Sequence, residues 1–161
     1  MGISSPVCIL MMKKIAISAC LLGNNCRYNA EIKKDETLIS LLENATLIPF
    51  CPEDFCYGTP RPSMDLVQTK QGIRTISNLT GADLSEPVIA YAKSFFHMNS
   101  DIDLFIGKDR SPSCGVCSAK LYDSEKNILS IRETGLMAKE AKIRNIPAID
   151  AEDFTAQYEE G

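Results

Sequence analysis

Three short apolar runs stand out along the chain: Lys-Lys-Ile-Ala-Ile-Ser-Ala at 13–19, Ala-Thr-Leu-Ile-Pro-Phe at 45–50 and Ile-Asp-Leu-Phe-Ile-Gly at 102–107. Runs of this length without strict alternation predict strands covered on both faces. Between them the pattern changes to helical spacing. Leu38, Leu41 and Leu42 predict a helix over 36–44. Val88, Ala92, Phe95 and Phe96 give the inner face of a second, capped at Asp83 and running to Met98. Thr134 is placed to cap a third, running to Asn145, with short strands at 128–131 and 146–149. Helices between buried strands imply right-handed βαβ units. The predicted fold is therefore a three-layer, Rossmann-like α/β domain, with a mostly parallel sheet and helices on both faces. Residues 66–69 and 73–77, joined through Lys-Gln-Gly, predict a small β-hairpin outside that sheet.

Three polar stretches break this pattern. Leu-Leu-Gly-Asn-Asn-Cys-Arg-Tyr-Asn-Ala at 21–30 is rich in turn formers. Cys-Pro-Glu-Asp-Phe-Cys-Tyr-Gly-Thr-Pro-Arg-Pro at 51–62 holds three prolines and a glycine, which predict a long, stiffened loop without regular structure. Lys-Asp-Arg-Ser-Pro-Ser-Cys-Gly-Val-Cys at 108–117 is a further loop after the third strand.

The 161 residues, with a hydrophobic content of 45%, suffice for one domain with a real core. The net charge of −4 argues against non-specific attraction to nucleic acid or a membrane, although Arg27, Lys33 and Lys34 can form a local basic patch. No apolar run approaches the roughly 20 residues that cross a bilayer. In the first twelve residues the charges follow the apolar stretch and no cleavage site is visible, so 1–12 reads as an extension upstream of a start near Met11 or Met12. A single domain over 13–161 is expected. Seven cysteines, an odd number and scattered, read as the reduced thiols of a cytoplasmic protein.

Cys20, Cys51 and Cys114 each fall just beyond the carboxyl end of a predicted buried strand, where open α/β sheets bind ligands. A lone cysteine is often just a small buried hydrophobe, but three at one topological position argue for soft metal ligands. With one histidine in the chain, they predict a metal centre with an open coordination position. An iron–sulfur cluster held by three thiolates, with one substrate-accessible iron, fits that count. Zinc is the alternative, with Cys26 completing a four-cysteine site. Cys26, Cys56 and Cys117 lie six, five and three residues after the three strand-end cysteines, as further ligands, resolving thiols or passengers. Cys114-Gly-Val-Cys117 has the spacing of a redox pair, yet Pro112 and Gly115 predict a tight loop rather than the helix N-terminus that activates such pairs. Glu53, beside Pro52, is a candidate proton donor or acceptor, against the plainer reading of a solvated loop carboxylate. Ser111 and Ser113 can hydrogen-bond a ligand or merely close a serine turn. Arg61 and Arg110 are candidates to hold an anion or ordinary surface residues. His97, at a predicted helix end, lacks the position for a Cys–His nucleophile pair. Met11, Met12, Met98 and Met137 read as core or terminus.

Four ordered motifs carry a resemblance. Ser-Ala-Cys-Leu-Leu-Gly-Asn-Asn-Cys-Arg-Tyr (18–28), Cys-Pro-Glu (51–53), Thr-Pro-Arg-Pro (59–62) and Arg-Ser-Pro-Ser-Cys-Gly (110–115) resemble the bacterial thiouracil desulfidase family, over roughly Lys13 to Asp150. The resemblance implies an α/β catalytic domain with an oxygen-sensitive 4Fe–4S cluster, Cys20, Cys51 and Cys114 as ligands and one iron open to the substrate's sulfur. It implies Glu53 as acid/base, assisted by Ser111 or Ser113, in a non-redox desulfuration of a small thiolated base such as 2-thiouracil. Cys26 belongs to the family pattern without an assigned ligand role; Cys8, Cys56 and Cys117 fall outside it. Two departures stand out. The family usually continues Cys-Arg-Tyr with Asp-Gly, where this chain has Asn29-Ala30, and asparagine cannot transfer a proton as a carboxylate does. Some relatives also carry a second, C-terminal domain. A sensor or sulfur-handling protein that binds a cluster without turnover is the other class of function.

Overall fold

In the computed structural model, which describes residues 13–24, 27–29 and 34–158, the chain begins with β1 (Lys14–Ser18) and a 3-10 turn at Ala19–Leu22. There follow α1 (Glu36–Leu41), β2 (Thr46–Phe50), α2 (Pro52–Tyr57), β3 (Met64–Thr69), β4 (Gly72–Ser77) and α3 (Ser85–Met98). The remainder comprises β5 (Leu104–Gly107), β6 (Ala119–Tyr122), β7 (Ile128–Glu133), α4 (Leu136–Ile143), β8 (Ala148–Asp150) and α5 (Ala151–Tyr158). Cys8, Met11, Met12, Cys26 and Lys33 lie outside the described residues.

The three apolar runs form three adjacent strands of a four-stranded sheet in the order β2-β1-β5-β8, parallel throughout. Its strands are covered on both sides, which is why they are continuously apolar. Ile15 and Ile17 of β1 face one way, into a core with Leu38 of α1, Leu42 directly after it and Phe154 of α5. Ala16 faces the other, with Phe50, Phe105, Ala92, Phe96 and Met137. Phe50 and Phe105 come from strands on either side of β1, yet their rings stack at 4.7 Å. They can meet because the β1 residues in register with them, Ser18 and Ala16, are small. The three-layer α/β arrangement expected from the pattern is present.

Several expectations need correction. The hairpin of β3 and β4 does lie outside the parallel sheet, but β6 and β7 extend it into a second four-stranded sheet, β4-β3-β6-β7, in which β3 and β6 run parallel and the other pairs antiparallel. Residues 52–57 are helical, not irregular: Pro52 sits at the first helical position, where its fixed φ is suited and its missing N–H is no loss. Gly58, at φ 81°, ends that helix. Thr134 does not cap α4; its hydroxyl donates to the Val116 carbonyl at 2.9 Å. The α4 amides go instead to carbonyls of the 111–118 loop. The last strand is 148–150, and α5, unforeseen, follows it directly. Asp83 does serve the start of α3, its Oδ1 accepting from Ser85 N at 2.9 Å.

Phe105→Ala removes the ring that joins β5 to β2 across β1, and should cost about 3–5 kcal/mol in denaturant unfolding.

Candidate metal centre at the carboxyl ends of the parallel strands

The order β2-β1-β5 sets the ends of three predicted cysteine-bearing strands side by side. Beyond β1, Cys20 lies in the 3-10 turn; beyond β2, Cys51 precedes α2; beyond β5, the 108–118 loop carries Cys114. All three line one cavity of about 210 Å3, together with Glu53, Arg61 and Lys108. The three cysteines singled out by the sequence therefore share one cavity. Among the described residues no three Cys, His, Asp or Glu side chains close around the position of a single metal ion.

Cys114 is placed by backbone rather than by its own side chain. A Cβ on Gly107 would overlap the Cys114 carbonyl oxygen, and one on Gly135 would lie 2.5 Å from the Ser113 carbonyl carbon and 2.9 Å from Cys114 N. The loop is thus pressed between two glycines, at the end of β5 and the start of α4. Its carbonyls cap that helix: Leu136 N donates to Pro112 O at 3.1 Å and Met137 N to Ser113 O at 2.8 Å. Ser111 Oγ accepts from Ser113 N at 3.2 Å and Cys114 N at 3.0 Å. Past Cys114, the buried carboxylate of Asp150 accepts from Val116 N at 2.7 Å, Cys117 N at 2.8 Å and Ser118 Oγ at 2.9 Å. Asp150 ends β8, so the fourth parallel strand contributes its carboxyl end as well.

The other two cysteines have their own supports. Cys51 N donates to the Tyr91 hydroxyl at 3.1 Å, and Cys20 Sγ lies 3.4 Å from Ser18 Oγ. Burial pushes the Cys114 thiol well above its ordinary range, the neighbouring Cys51, Glu53 and Cys20 add to the rise, and Ser111 opposes it. Burial likewise raises Cys56, with Cys51 and Glu53 adding. Thiols gathered in this way resist ionisation together unless a cation enters among them.

Glu53, in the first turn of α2, accepts at Oε2 from Ser113 Oγ at 2.7 Å and faces Arg61 at 3.5 Å through Oε1. Both partners of that ion pair are largely buried. Of the two candidate serines, Ser113 is fully buried against Glu53, whereas Ser111 lines the cavity with its oxygen turned to the loop amides. Arg110 also lines the cavity but forks onto Glu152 at 2.7 and 3.3 Å. Lys108 is half-buried; burial lowers its pKa from the usual lysine range and Cys20 opposes that. His97 is exposed in the last turn of α3, Met98 is exposed beside it, and Met137 is core. Cys117 is exposed, its Sγ 3.8 Å from Arg132 O. Cys56 is half-buried in α2, and Asn29 is exposed in a turn, not among the cavity-lining side chains. Lys108, Tyr91, Asp150, Gly107 and Gly135 were not singled out by the sequence. Lys108 and Asp150 had a local signal, their place directly after a predicted strand.

Comparison with known proteins now bears on this site. The family model described as 2-thiouracil desulfurase matches residues 15–153. An uncharacterised protein, YbbK of Bacillus subtilis (strain 168), is 28% identical over 156 residues, 87% of this chain and 99% of that one. The solved structure of TudS, a 4Fe-4S-dependent thiouracil desulfidase, is similar with a TM-score of 0.71 at 26% identity, covering 91% of this chain and 95% of that one.

Gly107→Ala should force the Cys114 backbone outward, costing about 1–3 kcal/mol of stability, and should lower iron uptake in reconstitution. Asp150→Ala strands two loop amides and a hydroxyl, and should cost about 2–5 kcal/mol in thermal or denaturant unfolding.

Proposed function

Because this chain belongs to the 2-thiouracil desulfurase family, we propose that it is an iron–sulfur enzyme that removes sulfur hydrolytically, as hydrosulfide, from a thiolated base or related thioamide. One observation carries the reading: Cys20, Cys51 and Cys114, three soft donors, share a cavity with Glu53, one acid–base group. Soft thiolates suit zinc, copper(I) and iron–sulfur clusters. Three of them spread around a cavity, with no three donors closing on one ion among the described residues, suit a 4Fe–4S cluster better than zinc. Cys20, Cys51 and Cys114 would hold it, with one iron left without a protein ligand. When bound, the cluster supplies a Lewis acid that draws electron density from the carbon of a thiocarbonyl.

The chain's own residues move the protons. Glu53 takes one from water at a carboxylate oxygen, and the oxygen of that water adds to the carbon that loses sulfur. Ser113, donating to Oε2, and Arg61, beside Oε1, hold that carboxylate in one orientation. Ser111 supports the Cys114 loop. TudS is a thiouracil desulfidase, so 2-thiouracil is the first substrate to test.

Anaerobically reconstituted protein should be brown, with iron and sulfide bound, and should release sulfide from 2-thiouracil. Colourless protein that binds zinc would overturn the reading, and a loaded cluster without turnover would favour a sensor. Glu53→Gln should lower turnover by about 10²–10⁴ with the cluster spectrum unchanged. Serine at any one of positions 20, 51 or 114 should remove spectrum and activity together.

A further inference from the structure

Lys108 follows the last residue of β5, and its side chain enters the wall of the cavity that holds Cys20, Cys51 and Cys114. The other cavity cations with described partners are already matched: Arg61 lies against Glu53, and Arg110 against Glu152. Lys108 Nζ has one hydrogen bond, to the backbone oxygen of Asp109 at the long distance of 3.5 Å, and no carboxylate in ion-pair range among the described residues. Asp109 itself is turned to α5, its Oδ1 accepting from Glu152 N at 2.9 Å. A half-buried ammonium without a carboxylate at ion-pair distance is better stabilised when an anion enters the cavity beside it. Arg27 and Arg110 are its like-charged neighbours, while the Cys20 thiol and the Asp109 carboxylate favour its charged form. Lys108, Arg27 and Arg110 therefore line the same cavity into which three thiolates would bring negative charge.

We infer that Lys108 is the anion-binding residue of this site: its ammonium balances the charge of the loaded centre and holds the hydrosulfide product. The inference rests on the cluster-dependent reading above, and extends it to a residue that touches the departing sulfur rather than the attacking water. Hydrosulfide carries one negative charge to a place already made negative by thiolates, and a cation within a few ångströms offsets that repulsion.

The test uses the anaerobically reconstituted holoprotein and sodium sulfide as the probe, with hydrosulfide binding followed by visible absorption and the reduction potential measured by titration. Lys108→Met should keep the cluster, weaken hydrosulfide binding on the order of tenfold or more, and shift the potential in the negative direction. Lys108→Arg should restore both. If Lys108→Met takes up less cluster, Lys108→Arg decides: recovery of loading, potential and affinity supports a role of charge, and failure to recover them overturns it. Unchanged affinity and potential in Lys108→Met overturn this inference alone. A parent chain that takes up no cluster overturns the functional reading, and this inference with it.

Discussion

The site depends on one close approach: the backbone of residues 111–115 lies between Gly107 and Gly135 with no room for a side chain on either glycine. That approach lets Cys114 reach the sheet edge where Cys20 and Cys51 already stand. A loop so tightly enclosed must satisfy its own polar groups, and it does so with unlike partners. The first turn of α4 takes two carbonyls, Ser111 takes two amides, and Asp150 takes two more. One partner belongs to the loop itself and the other two come from the start of α4 and the end of β8, so the loop is fixed from several sides without being regular structure.

The place of the cavity follows from strand order. From β1 the chain moves to β2 on one side and later returns to β5 on the other, which opens a crevice at the carboxyl end of β1. Cys20 sits at that opening, flanked by Cys51 and Cys114. The glutamate is delivered by the same logic, since α2 begins directly after β2 and puts Glu53 in its first turn. Its serine and arginine partners come from separate loops, so the carboxylate is held by contacts that the cysteine loop and the 58–63 segment make jointly.

Much of this was legible in the residues. Buried parallel strands announce themselves as apolar runs, and thiols at their ends are conspicuous because cysteine is a reactive residue placed where side chains meet ligands. What was not legible depends on distance or on position within an element. Pro52 reads as a breaker in a window of three prolines, yet at a first helical position it initiates. Thr134 has the chemistry of a cap, but carbonyls some twenty residues earlier took the amides it would have served. The second sheet was missed because β3 and β6 pair over only two residues in register, a short parallel contact with no local signature. Asp150 and the two glycines act through neighbours far away in sequence, and no window of sequence shows such neighbours.

The clamp has a consequence for how the protein is made. Cys20 and Cys51 belong to the first third of the polypeptide, whereas Gly135 and Asp150, which hold the third cysteine in position, are near its end. During synthesis the early thiols leave the ribosome long before the residues that shape their common cavity exist. Completion of the cavity is in this way tied to completion of translation, and a chain truncated ahead of residue 150 would carry Cys20, Cys51 and Cys114 without the frame that arranges them.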